Sequence, residues 1–194
     1  MRNRSQKVSL ENGESLGRSS IPSDARREQY QELLLLAENR LPPLIVETPE
    51  SLGEYVGKEI GVSGWLTITQ ERIAQFAEAT EDRQWIHLDR ERAERESPYG
   101  TTIAHGFLTL SLISRFMKDV IQVRGGVGMT INYGLNRVRF PSPVRAGAKI
   151  RAKVVLQSVK EIERGCETTF VVTIEAEGTE KPCCVAESLI RYYR

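Results

Sequence analysis

The chain is predicted to be an α+β protein in which a curved antiparallel β-sheet wraps around a long central apolar helix. Three observations predict this. Gly106 to Ser114 carries no charged residue, and Phe107, Leu108, Leu110, Leu112 and Ile113 surround a helix instead of lining one side. A helix that is apolar all round must be enclosed by other structure. Several stretches with strand character then follow one another through local connections, which favour antiparallel pairing. A sheet curved around the helix is the simplest way to bury it.

The elements follow in order. Residues 1–23 are polar, rich in Ser, Asn, Gly and Glu, without apolar period, and read as a flexible leader. Residues 24–43 read as an amphipathic helix with Tyr30, Leu33, Leu34 and Ala37 on one stripe, stopped by Pro42-Pro43. That stripe suits packing on the main domain or binding another protein. The main domain is expected over 44–194. Gly61 to Thr69 reads as a strand, after which Thr69 caps a helix carrying Ile73, Phe76, Ala77 and Thr80. A loop containing Glu81 to His87 comes next, and then a charged helical turn, Asp89 to Glu96, with a solvated face.

Beyond the apolar helix lies a glycine turn, Gly125-Gly126-Val127-Gly128. Val138-Arg139-Phe140 ends at Pro141-Ser142-Pro143. Lys149 to Gln157 alternates Ile150, Ala152, Val154 and Leu156; Thr169 to Glu177 alternates Phe170, Val172, Ile174 and Ala176. Cys184 to Tyr193 places Ala186, Ile190 and Tyr192 on one face. This order is that of the hot-dog architecture. A single wrapped sheet leaves an exposed strand edge, so a homodimer is predicted.

Composition excludes several functions. Among 194 residues, 27 Lys and Arg balance 26 Asp and Glu, a net charge of +1 that asks for neither nucleic acid nor an anionic membrane. No run approaches the roughly 18 apolar residues of a membrane helix, and the polar start lacks a signal-peptide pattern. The protein is expected in the cytoplasm. Cys166, Cys183 and Cys184 lack metal-ligand spacing and read as reduced and structural.

The chemistry is sought at His87 and His105, the two histidines of the chain, because histidine alone titrates unperturbed near neutral pH. Asp82 and His87 flank a four-residue insert, Arg83 to Ile86. A carboxylate beside an imidazole fixes its tautomer and raises its basicity, so the pair can deprotonate water. The same spacing also fits a loop held by an Asp–His hydrogen bond. Gly106 stands where a Gly-Thr loop enters the apolar helix. There its amide would be an unsatisfied donor able to hold an oxyanion, or its small size would ease packing. His105 reads as a hydrogen-bonded residue at the helix start. Ser114, eight residues past Gly106, shares its side of the helix approximately and needs a hydrogen-bond partner.

These residues resemble the MaoC-like dehydratases, which include R-specific enoyl-CoA hydratases. The family pattern runs helix, Asp-x-Asn-Pro-hydrophobic-His, then about seventeen residues to His-Gly at the start of the central helix. Asp82, Ile86, His87, His105 and Gly106 match in type and spacing, over a resemblance that spans Leu52 to Arg194. The form is nearest the branch containing nodulation protein N. Gln84 stands where the hydratases have Asn, and Trp85 where they have Pro, without the fixed dihedral of proline.

The resemblance implies that Asp82 and His87 activate water, that Gly106 donates to the thioester oxygen, and that Ser114, Gln84 and His105 support the site or touch substrate. It further implies reversible hydration of trans-2-enoyl thioesters to R-configured 3-hydroxyacyl thioesters. The substrate would be carried on coenzyme A or acyl carrier protein, with no metal or redox cofactor. Arg137, Arg139 and Arg145, beside Phe140 to Val144, would meet a pantetheine phosphate or remain solvated strand charges. Two other readings stand beside the hydratase: a thioesterase of the same fold, and a thioester-binding or structural subunit without turnover.

Overall fold

The computed structural model describes residues 42–194; the expected leader and most of the amphipathic helix lie outside the described residues. Strand β1 (Leu44–Val46) leads into a 3-10 turn over Pro49–Tyr55, whose Leu52 is fully buried. Strands β2 (Glu59–Val62) and β3 (Leu66–Thr67) follow, where one strand over Gly61 to Thr69 is expected from sequence. The break is at Ser63, whose hydroxyl accepts from the Ala152 amide and donates to the Gly64 carbonyl, displacing regular pairing.

Helix α1 (Gln70–Thr80) begins as predicted, with Thr69 Oγ1 accepting the Arg72 amide at 3.2 Å. The expected loop carrying the histidine instead contains a single helical turn, α2 (Trp85–Leu88). Asp89 caps α3 (Arg90–Glu96) through the Arg92 amide. The expected central helix is two helices, α4 (Gly106–Ser111) and α5 (Ile113–Val120). Ser111 Oγ donates to the Leu108 carbonyl at 2.8 Å, competing with the helical ladder just before Leu112.

Strand β4 (Ile121–Val123) pairs in parallel with β1. Strands β5 (Met129–Arg139), β6 (Lys149–Ile162), β7 (Gly165–Ala176) and β8 (Cys184–Tyr193) form the antiparallel sheet, in the order β2-β6-β7-β8-β5, with β3 also on β6. The strand expected at Val138 to Phe140 starts much earlier. Register shifts between Asn132 and Gly134 and between Leu135 and Val138 break the two-residue period there.

The inner face matches the predicted alternation. Ile150, Ala152, Val154 and Leu156 of β6, Phe170, Val172 and Ile174 of β7, and Ala186 and Ile190 of β8 are buried. Against them lie Leu108, Leu112, Ile113, Phe116, Met117 and Val120 of the helical pair. Burying a Phe or Leu of this kind contributes about 1.5–3 kcal/mol. Enclosure is nevertheless incomplete, contrary to the sequence expectation: Phe107 is 70% exposed. The three cysteines are buried and free, as expected. Among the described residues, no helix is long and apolar enough to cross a membrane.

Candidate active site

Two segments meet at the site and brace each other. Helix α1 ends at Glu81, held at a left-handed φ of 60° directly before Asp82. A residue with a Cβ held there costs about 1–2 kcal/mol. The turn α2 then brings His87 inward to 8% exposure. Its Nδ1 lies 2.7 Å from the Ile103 carbonyl oxygen. A carbonyl only accepts, so Nδ1 carries the proton and Nε2 keeps its lone pair, which is the tautomer a base needs.

His105 is buried at 3% exposure, and its Nε2 donates to the main-chain oxygen of Asp82 at 2.9 Å. Its Nδ1 is left without a partner among the described residues. The two imidazoles stack, with centroids 3.7 Å apart and planes 25° from parallel. The Phe76 ring lies tilted by 51° against His105, with centroids 5.1 Å apart. Asp82 therefore has an anchored backbone and an open carboxylate, 57% exposed and 3.9 Å from His105 Nε2.

One oxygen of Asp82 and one ring nitrogen from each histidine lie within 4.8 Å of one another. One water accepting and donating at ordinary hydrogen-bond lengths spans such a gap. As a metal-ligand set the group is less apt, because stacked rings aim their in-plane lone pairs side by side instead of at one point.

Burial pushes the His87 imidazole below its ordinary value, and the neighbouring His105 acts in the same direction. The hydrogen bond to Ile103 and the Asp82 carboxylate oppose it. His87 is thus neutral at pH 7 and available as a base. For any reaction in which His87 acts as base, the expected pH profile of kcat/KM is flat through neutrality, with an acid limb whose midpoint lies below the ordinary 6.5. Stability has the same sign. Below 6.5 the unfolded chain takes up the proton first, so stability falls with pH down to the lower folded value and is level beneath it. Denaturant titrations of parent and His87→Gln across this range check the assignment, since the variant loses that slope.

Gly106 is the first residue of α4, where the N–H lacks an intrahelical carbonyl. A Cβ there would meet the Phe140 ring at 3.0 Å. A cleft of about 230 Å³ lies alongside, bordered by Tyr99, Ile103, Gly106, Thr109, Phe140 and Val144 among others. Asp82 and His87 are not among its lining residues.

The remaining predicted residues stand further out. Gln84 is exposed at the start of α2, without a side-chain hydrogen bond among the described residues, and its carbonyl accepts from the His87 amide. Trp85, where proline was expected from the resemblance, lies under the Arg92 guanidinium at 4.3 Å. Ser114 is not the buried helix serine expected. It lies on the exposed stripe of Phe107, Ser111 and Lys118, where its hydroxyl accepts from Asn132 Nδ2 of β5 at 2.9 Å, and it makes no hydrogen bond to the other predicted site residues. Arg137, Arg139 and Arg145 are exposed. Sequence reasoning did not find Gln70, Thr102 or Phe140. None carries a motif signal, and their roles come from contacts between distant segments.

Comparison with known proteins gives the chain a family and relatives of the same fold. The family described as MaoC like domain matches residues 51–178. Over 147 residues the chain is 49% identical to 3-hydroxyacyl-thioester dehydratase Z of Mycobacterium tuberculosis (strain ATCC 25618 / H37Rv), covering 75% of this chain and 96% of that protein. It is 46% identical over 134 residues to Nodulation protein N of Rhizobium leguminosarum bv. viciae, covering 68% of this chain and 82% of that one. Its fold is similar to that of R-hydratase PhaJ1 from Pseudomonas aeruginosa, with a TM-score of 0.58, 24% identity, and coverage of 72% and 82%.

Proposed function

Because the chain belongs to the MaoC-like domain family, we propose that it reversibly hydrates trans-2-enoyl thioesters of coenzyme A or acyl carrier protein to (R)-3-hydroxyacyl thioesters. The observation that carries this reading is the state of His87. Its Nδ1 proton is committed to Ile103, and a ring nitrogen lies within one water's reach of the Asp82 carboxylate. His87 takes a proton from water that Asp82 orients, and the water oxygen bonds to the third carbon of the enoyl group. The double-bond electrons shift toward the thioester carbonyl, whose developing charge the Gly106 N–H stabilises. His87 then returns that proton to the second carbon, which completes hydration and leaves the base neutral again, and the same groups run the dehydration in reverse. These steps need no metal or redox cofactor. The setting is cytoplasmic, in keeping with three buried free thiols.

Mixing pure protein with crotonyl-CoA and a longer trans-2-enoyl-CoA tests the reading. Loss of enoyl-thioester absorbance without release of free thiol is expected; thiol release would mean a thioesterase. One observation favours a binding subunit without turnover: the cleft beside Gly106 is not lined by Asp82 or His87. No turnover of either enoyl substrate, on CoA or on carrier protein, would move the assignment there.

The working form is a homodimer. Strand β5 is an eleven-residue sheet edge with Met129, Ile131, Tyr133 and Leu135 each more than a third exposed. Clefts of about 380 and 220 Å³ remain open between β5 and α5. Long apolar edges of this kind pair with another chain. Sedimentation should give a dimer at micromolar concentration for the parent and a monomer for Ile131→Lys/Leu135→Lys. A parent monomer would remove the dimer.

A further inference from the structure

We propose that Gln70 and Thr102 are a positioning pair that fixes the orientation of His87, an inference that rests on the assignment of His87 as the base. The last carbonyls of a helix as short as α2 have no intrahelical donor. The Gln70 side chain supplies one, its Nε2 donating to the His87 carbonyl at 2.7 Å. The other end of the same amide accepts from Thr102 Oγ1 at 2.5 Å. Gln70 is the first residue of α1, behind the Thr69 cap, so its own backbone is fixed. Thr102 is 1% exposed, and its carbonyl accepts the Ala146 amide at 3.0 Å.

The next residue, Ile103, takes the His87 Nδ1 proton on its carbonyl and donates its own amide to Ile86. The segment that selects the tautomer and the turn that carries the ring are thus joined by one planar amide. Both ends of that amide are used, so neither segment shifts without breaking a part-buried hydrogen bond. Gln70 itself touches no reacting atom. It acts through the backbone of His87, as the Ile103 carbonyl acts through the ring.

Thr102 separates positioning from packing. Valine keeps the volume of threonine and loses the hydroxyl, whereas serine keeps the hydroxyl and loses the methyl group. Expected for both Thr102→Val and Gln70→Leu is a fall in kcat for crotonyl-CoA of about 10- to 100-fold, the scale of a misplacement of about an ångström. KM should stay within about twofold, and Thr102→Ser should retain most of the parent kcat. Ring-nitrogen NMR should show a single Nδ1–H tautomer at His87 in the parent and in Thr102→Ser, and a mixture in the other two. Parental kcat and tautomer in Thr102→Val, or equal impairment of the serine and valine variants, would overturn the proposal. If the parent hydrates no enoyl thioester, the hydratase reading fails by itself, and the tautomer in Thr102→Val still decides whether the pair positions His87.

Discussion

Asp82→Asn and His87→Ala are each expected to lower kcat/KM for hydration of crotonyl-CoA by about 100- to 10,000-fold, the range of a positioned acid–base group. The two groups act on one water, so the double variant should be little worse than the weaker single one; groups acting as a unit are strongly non-additive. Asp82→Asn is the sharper test. The amide keeps the shape and one acceptor oxygen while removing the charge. The backbone anchor from His105 Nε2 to the Asp82 carbonyl does not depend on the side chain. The carboxylate is 57% exposed, so its loss leaves no buried group unpaired. Folding should therefore be unchanged, and the rate loss can be read as chemistry. His87→Ala differs, because it frees the Ile103 carbonyl and removes the ring on which His105 stacks. A lower melting temperature is expected for it alone. Parental turnover by Asp82→Asn would remove the carboxylate from the mechanism.

The site's first layer was legible in the sequence because chemistry restricts it to few residue types. Two histidines in the whole chain, with a carboxylate five residues before one and a glycine directly after the other, leave little choice of base or amide donor. The sheet was legible where burial imposes a two-residue period, as at Ile150 to Leu156. Strand β5 was not, because its apolar residues face outward on one chain and its register shifts. Ser114 was misplaced for a related reason. A charge-free stretch reads as one enclosed helix, whereas the helical pair keeps an open stripe along Phe107, Ser111, Ser114 and Lys118 while Leu112, Ile113, Phe116 and Met117 are buried. Gln70 and Thr102 were invisible, since two polar side chains 32 positions apart carry no periodic signal and acquire meaning only through the fold.

Removing the Gly106 N–H is expected to cost about 100- to 1,000-fold in kcat, the magnitude associated with one oxyanion donor. Proline deletes that N–H, and the backbone here accepts it. Gly106 is the first helical position, where proline is tolerated because its missing donor would be unpaired anyway. His105 before it already has φ −59° and ψ 139°, the conformation proline demands of its predecessor. The obstacle is steric, because any Cβ at this position would meet Phe140 ring carbons at 3.0–3.1 Å. Phe140 is 40% exposed and packs edge-on against the exposed Phe107, so Phe140→Ala clears the space without opening the core. The decisive comparison is Gly106→Ala/Phe140→Ala with Gly106→Pro/Phe140→Ala. Both carry the new Cβ and both lack the ring, and they differ in the amide hydrogen and in the Cγ and Cδ methylenes that take its place. The proline variant should be as stable as its partner or more so, by about 0.4–1 kcal/mol from reduced freedom of the unfolded chain. A slow but stable protein would tie the loss to the thioester oxygen, since a packing defect lowers both quantities together. Equal kcat in the two double variants would show that the amide takes no part, leaving Gly106 as space for Phe140.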